Sequence, residues 1–176
     1  MYYTEADISG KKRFKGGEAP SAKVYSYDDQ EMIIGMIAVN VQLLVSLYSL
    51  DEQNCKDIIN KFEMNFKDES KLNINVVVKN SFEDIKNFNL ENKIVKIEIL
   101  QDTKSSFSQK FGVLLKDDKY VNNMANGLFL IDKEGEIKYA EYFDSLDESQ
   151  LDKLISIVKD VINFKPKGHV HENWMG

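Results

Sequence analysis

The chain has 176 residues, a mass of 20.3 kDa and a formal net charge of −6, which is one ordinary domain by length. At 43 % hydrophobic and 30 % charged residues it can bury a core, and it falls outside the disordered and fibrous classes. The negative charge argues against nucleic acid and anionic membrane surfaces as partners, and one cysteine excludes an internal disulfide, a Cys-x-x-Cys redox pair and a cysteine-built zinc site.

No apolar run reaches the roughly 18–20 residues of a membrane span. Ile33 to Leu50 comes nearest and is broken by Gly35, Asn40, Gln42 and Ser46. The first residues, MYYTEADISGKKRFKGG, hold no apolar stretch of the secretory kind, so a cytoplasmic location is the default expectation. Lysine carries nearly all the positive charge, Arg13 being the only arginine, and lysine, asparagine and isoleucine are abundant. We read that usage as the mark of an AT-rich bacterial genome.

Residues 1–20 are polar, and Gly16-Gly17-Glu18-Ala19-Pro20 marks the point where the domain begins. Lys23 to Tyr27 alternates and predicts a short strand, followed by a turn at Asp28-Asp29-Gln30. Val41 to Tyr48 is nearly all apolar and predicts a central strand buried on both faces. The period then changes. Ile58, Ile59, Phe62 and Phe66 share one helical face, which predicts a helix from about Asp51 to Phe66, capped by Ser49 or Asp51. Ile74 to Val78 is a second buried strand, and Ser81 opens a helix to about Phe88. Val95 to Leu100 is a strand, and Ser105 to Phe111 is a short helix ended by Gly112. Leu128–Ile131 and Ile137–Phe143 flank Asp132-Lys133-Glu134-Gly135, a hairpin with glycine in its left-handed position. Asp147 to Ile162 closes the domain as an amphipathic helix. Strands alternating with helices, then a hairpin, predict an α/β fold. The best match is a thioredoxin-like three-layer α/β/α sandwich, its central mixed sheet completed by the C-terminal β-hairpin. The expected organisation is an extension over residues 1–20, the domain over 21–163 and a tail over 164–176.

Cys55 is the one residue whose chemistry stands out. It lies about a turn into the helix that follows a central strand, where backbone N–H groups and the helix dipole favour a thiolate. Glu52 and Asp51, three and four residues earlier, oppose ionisation. The plain alternative is a buried, inert cysteine. In the tail, His169 and His171 with Glu172 are weak candidates for half a metal site, against a reading as incidental histidines. Lys11-Lys12-Arg13 and Lys165-Pro166-Lys167 are too short to bind nucleic acid, and no phosphate loop is present.

Tyr48-Ser49-Leu50-Asp51-Glu52-Gln53-Asn54-Cys55, followed by a helix carrying Lys61-Phe62, resembles the active-site segment of the thiol peroxidase branch of the peroxiredoxins. Gly17-Glu18-Ala19-Pro20, Phe111-Gly112-Val113-Leu114 and Leu128 to Ile137 match further segments of that family in order. The resemblance implies a cysteine nucleophile at Cys55 reducing hydroperoxides, no cofactor, a homodimer and an external, thioredoxin-like thiol reductant. It also implies a degenerate site. The family pattern has proline where this chain has Tyr48, threonine where it has Glu52, arginine where it has Asn126 and a resolving cysteine where it has Phe88. A carboxylate facing the sulfur repels both the thiolate and the departing hydroxide, and an asparagine supplies no charge to polarise the O–O bond. Two readings follow: a weak one-cysteine thiol peroxidase, or a catalytically inactive relative kept as a dimeric binding or structural protein.

Overall fold

The computed structural model describes residues 3–116, 119–120 and 122–164. Strands run in the order β1 (Ile8–Ser9), β2 (Ser21–Tyr25), β3 (Glu31–Gly35), β4 (Val41–Ser46), β5 (Leu72–Val78), β6 (Glu98–Gln101), β7 (Leu114–Leu115), β8 (Gly127–Ile131) and β9 (Ile137–Tyr142). The helices are α1 (Gln53–Phe66), α2 (Phe82–Asn92), α3 (Ser106–Lys110) and α4 (Glu148–Asn163). A mixed seven-stranded sheet has the order β3-β2-β6-β5-β4-β8-β9, and β1 pairs with β7 beside it. β4, β5 and β6 are parallel, while β8 runs antiparallel to β4 and continues into β9.

Every residue of β4 is buried, as expected of a strand covered on both faces. Leu43, Val45 and Leu47 pack with Ile58, Ile59, Phe62 and Phe66 of α1 and with Leu151, Leu154 and Val158 of α4. Leu44 points the other way, into a second core with Phe107, Phe111 and Phe129. The rings of Phe107 and Phe111 stack there at 4.4 Å. Two cores on opposite faces of one sheet make the three-layer sandwich. Local chemistry agrees at most ends. Ser81 caps α2 by accepting from Asp84 N at 3.1 Å. Asp147 and Gln150 form a reciprocal capping box on α4. Gly135 takes φ 86° in the β8–β9 hairpin.

Three readings need correction. β3 was not expected: Glu31–Gly35 pairs with β2 as a hairpin around Asp28-Asp29-Gln30, and its weak alternation hid it. Neither Ser49 nor Asp51 caps α1. The helix starts later, at Gln53, with Glu52 as the capping residue and no side-chain cap. The Ser49 hydroxyl is instead taken up locally, accepting from Asp51 N at 3.1 Å. The strand expected from Val95 begins at Glu98, because Val95, Lys96 and Ile97 donate their N–H groups to the Glu63 carboxylate.

Candidate active site

β4 ends at Ser46, and the chain turns over residues 47–52 into α1 at the carboxyl edge of the parallel strands. Ligands of open α/β sheets gather at this edge. Three asparagines hold the turn, and a fourth ties the start of α1 to Leu146. Asn126 Oδ1 accepts from Tyr48 N at 2.7 Å, and its Nδ2 donates to Asp144 O at 2.9 Å. Asn122 Nδ2 donates to Tyr48 O at 2.9 Å, and Asn80 Oδ1 accepts from Leu50 N at 3.1 Å. Asn54 pairs reciprocally with the backbone of Leu146, at 2.8 and 3.0 Å. Buried backbone N–H groups are thereby satisfied without regular secondary structure.

Cys55 is the third residue of α1 and only 3 % exposed. It is a free thiol. It lines a cavity of about 320 Å³ with Tyr3, Tyr48, Glu52, Asn54, Asn126, Asp144 and Ser145. Burial pushes the thiol up to about 11. Hydrogen bonding from the backbone of Ser49 pulls it back, the Glu52 charge raises it further, and the Tyr48 backbone lowers it slightly. The lining holds two carboxylates and, among the described residues, no lysine or arginine. Arg13 lies elsewhere, its Nε donating to Lys110 O at 2.7 Å.

Of the residues singled out in sequence, Tyr48, Glu52, Cys55 and Asn126 meet in this one cavity. Asp51 does not. It is exposed and lines a neighbouring depression with Ser49, Lys119, Tyr120 and Asn122. Because α1 begins after it, the helical spacing that would have set it beside the sulfur does not apply. Phe88, where the resemblance implies a resolving cysteine, is buried on α2. His169 and His171 lie outside the described residues. Tyr3, Asp144 and Ser145 escaped sequence reasoning. No periodicity or motif ties them to Cys55, and only the tertiary fold brings them there.

A model of the AhpC/TSA family matches residues 16–140. The chain belongs to the AhpC/TSA family. A thiol peroxidase of Aquifex aeolicus (strain VF5) is 28 % identical over 148 residues, spanning 84 % of this chain and 88 % of the relative. Among solved structures, a peroxiredoxin-like protein from Aquifex aeolicus superposes with a TM-score of 0.80 at 26 % identity, over 88 % of this chain and 91 % of its own. A thiol peroxidase from Chromobacterium violaceum shares the fold with a TM-score of 0.72 at 18 % identity, over 86 % and 91 % of the two chains. The AhpC/TSA match runs from Gly16 into β9 and so takes in the whole turn that carries Cys55. No helix among the described residues is long and apolar enough to cross a membrane.

Proposed function

We propose that this AhpC/TSA protein is a weak one-cysteine thiol peroxidase with Cys55 as its nucleophile. The observation that carries the reading is the position of Cys55, in the first turn of α1 and facing a cavity at the carboxyl edge of the parallel sheet. In the reaction the Cys55 thiolate attacks one oxygen of a hydroperoxide. An S–O bond forms, the O–O bond breaks, and the departing alkoxide or hydroxide takes a proton to leave as alcohol or water. Cys55 becomes a sulfenic acid. Two equivalents of an external thiol return it to the thiol, yielding water and a disulfide. A thioredoxin-like reductant fits that role, because the chain has no second cysteine.

Weakness follows from charge. The reacting group is the thiolate, and burial together with Glu52 holds the thiol protonated at neutral pH. Asn126 brings no cation to the departing oxygen, and its amide already braces Tyr48 and Asp144. Loss of one preorganised donor costs ~10²–10³ in rate. The reading as an inactive dimeric binding protein draws on these same features.

Sulfenic acid at Cys55, trapped with a 1,3-dicarbonyl probe under added hydroperoxide and read by mass spectrometry, separates the two. The proposal expects slow, peroxide-dependent labelling that Cys55→Ser abolishes. Labelling no faster than in the urea-unfolded chain at equal thiolate supports the inactive protein. We further propose a cytoplasmic homodimer, as the family resemblance implies.

A further inference from the structure

The cavity at Cys55 has a neighbour. A second depression of about 250 Å³ is lined by Ile8, Lys12, Tyr142 and Phe143, and Tyr3, Asn126 and Asp144 line both. Of these three shared residues Tyr3 is the one that brings an aromatic ring. It comes from a segment far away in sequence and is 6 % exposed. Its hydroxyl donates to Phe143 O at 3.3 Å and accepts from Asn126 N at 2.8 Å. Its ring lies 6.1 Å from that of Tyr48 and 6.4 Å, edge-on, from that of Tyr120.

The segment behind Tyr3 is tied down at several points. Asp7 Oδ2 accepts from Tyr120 Oη at 2.6 Å and from Thr4 Oγ1 at 3.0 Å, and Asp7 O accepts from Lys116 N at 3.1 Å. β1 pairs with β7. Further on, the backbone of Lys12 passes so close to Gly112 (φ 70°) that a Cβ there would lie 2.7 Å from Lys12 N. The strap thus delivers one buried aromatic ring to the lining of the site, and the ring's polar end is satisfied by two backbone groups.

We propose that Tyr3 is a specificity-determining residue, a partition that admits small hydroperoxides to Cys55 and excludes bulky organic ones. The excluded class would need the second depression, whose Ile8 and Phe143 walls suit an apolar tail. The proposal rests on the thiol peroxidase reading only for the identity of the molecule admitted.

The test uses the full chain and two uncharged methanethiosulfonates, methyl and benzyl. Each forms a disulfide with the Cys55 thiolate and releases methanesulfinate, so the reaction reports access and needs no turnover. The ratio of benzyl to methyl rates is compared in the native protein, Tyr3→Ala, Tyr3→Leu and Tyr3→Phe, with thermal melting to show that each is folded. A pocket wall of this kind discriminates by about ten- to a hundredfold, so Tyr3→Ala is expected to raise the ratio about tenfold. Tyr3→Leu is expected to raise it less, and Tyr3→Phe, which keeps the ring, to leave it near the native value. A ratio within about threefold of native in every folded variant that lacks the ring overturns the proposal, as does a Tyr3→Phe ratio equal to that of Tyr3→Ala. Hydrogen peroxide and cumene hydroperoxide are then compared on the same variants. If the labelling ratio moves but neither peroxide oxidises Cys55, the partition stands and the thiol peroxidase reading falls.

Discussion

Two groups at the site resist ionisation in the folded state. The Cys55 thiol is raised to about 11 and the Tyr3 phenol to about 12, both chiefly by burial. As pH rises the unfolded chain releases these protons first, near about 8.5 for a free thiol and about 10 for a phenol. The folded state then binds more protons than the unfolded one, so stability falls as pH increases. Urea unfolding between pH 8 and 11 is expected to show a steady loss that Cys55→Ala and Tyr3→Phe each make shallower. A stability profile flat over that range, or unchanged by both substitutions, contradicts the burial argument.

Tyr48 and Asn126 also belong to the residue scale. Proline has no N–H, so the Asn126 carboxamide answers a donor that exists only because residue 48 is not proline. Tyr48→Pro alone would strand a buried acceptor, and Asn126→Arg alone, which offers no acceptor, would take from the Tyr48 N–H its Asn126 partner. Each single change is expected to destabilise by about 1–3 kcal/mol in urea titration. The triple variant Tyr48→Pro, Glu52→Thr, Asn126→Arg is expected to exceed every single variant in peroxidase rate, since groups acting as a unit are non-additive. A folded triple variant with a low thiol pKa and no gain in rate would show that Glu52 and Asn126 do not occupy the donor positions.

Among the elements, α1 was the most legible. The apolar residues of its inner face fall at 55, 58, 59, 62 and 66, and all five are buried. The same helix carries the feature that sequence could not show. Glu63, on the buried face, looks like a misplaced charge, yet its carboxylate accepts from Val95, Lys96 and Ile97 N at 2.9–3.1 Å. It pins the segment leading into β6 and thereby delays that strand to Glu98. Glu63→Ala leaves three N–H groups without this partner and is expected to cost about 2–3 kcal/mol in urea unfolding. Glu63→Gln, which keeps an acceptor, should lose less. Equal stability of Glu63→Ala and the native protein would show that water replaces the carboxylate at no loss. β3 was missed for a different reason. It is a short edge strand whose Met32 and Ile34 face the core while the outward Ile33 is also apolar though 60 % exposed, so the sequence carries no clear alternation.

At the scale of the whole molecule, the element order led directly to the sandwich, because alternating strands and helices leave few chiral ways to cover a sheet. The position of Cys55 at the sheet's carboxyl edge followed from the same order. What closes the site did not. Tyr3 and Asp144 come from opposite ends of the chain, and no local pattern encodes their meeting. Assembly belongs to this scale as well. Sedimentation at high micromolar concentration is expected to give twice the 20.3 kDa chain mass, in keeping with the commonest, two-fold geometry. A species of 20.3 kDa at that concentration contradicts the homodimer.

The central claim is that folding gives Cys55 a site for hydroperoxide while holding it as the thiol. The most direct test is the rate of sulfenic acid formation at Cys55 from pH 7 to 10, in the folded protein and in the urea-unfolded chain. The account predicts a folded-state rate that climbs by about tenfold per pH unit without a plateau, since the reacting thiolate is a small fraction throughout. Per thiolate, it predicts a rate about ten to a hundred times that of the unfolded chain, below the ~10²–10³ that each lost donor would have contributed. A plateau reached below neutral pH, or a folded-state thiolate no more reactive than the unfolded one, would contradict it.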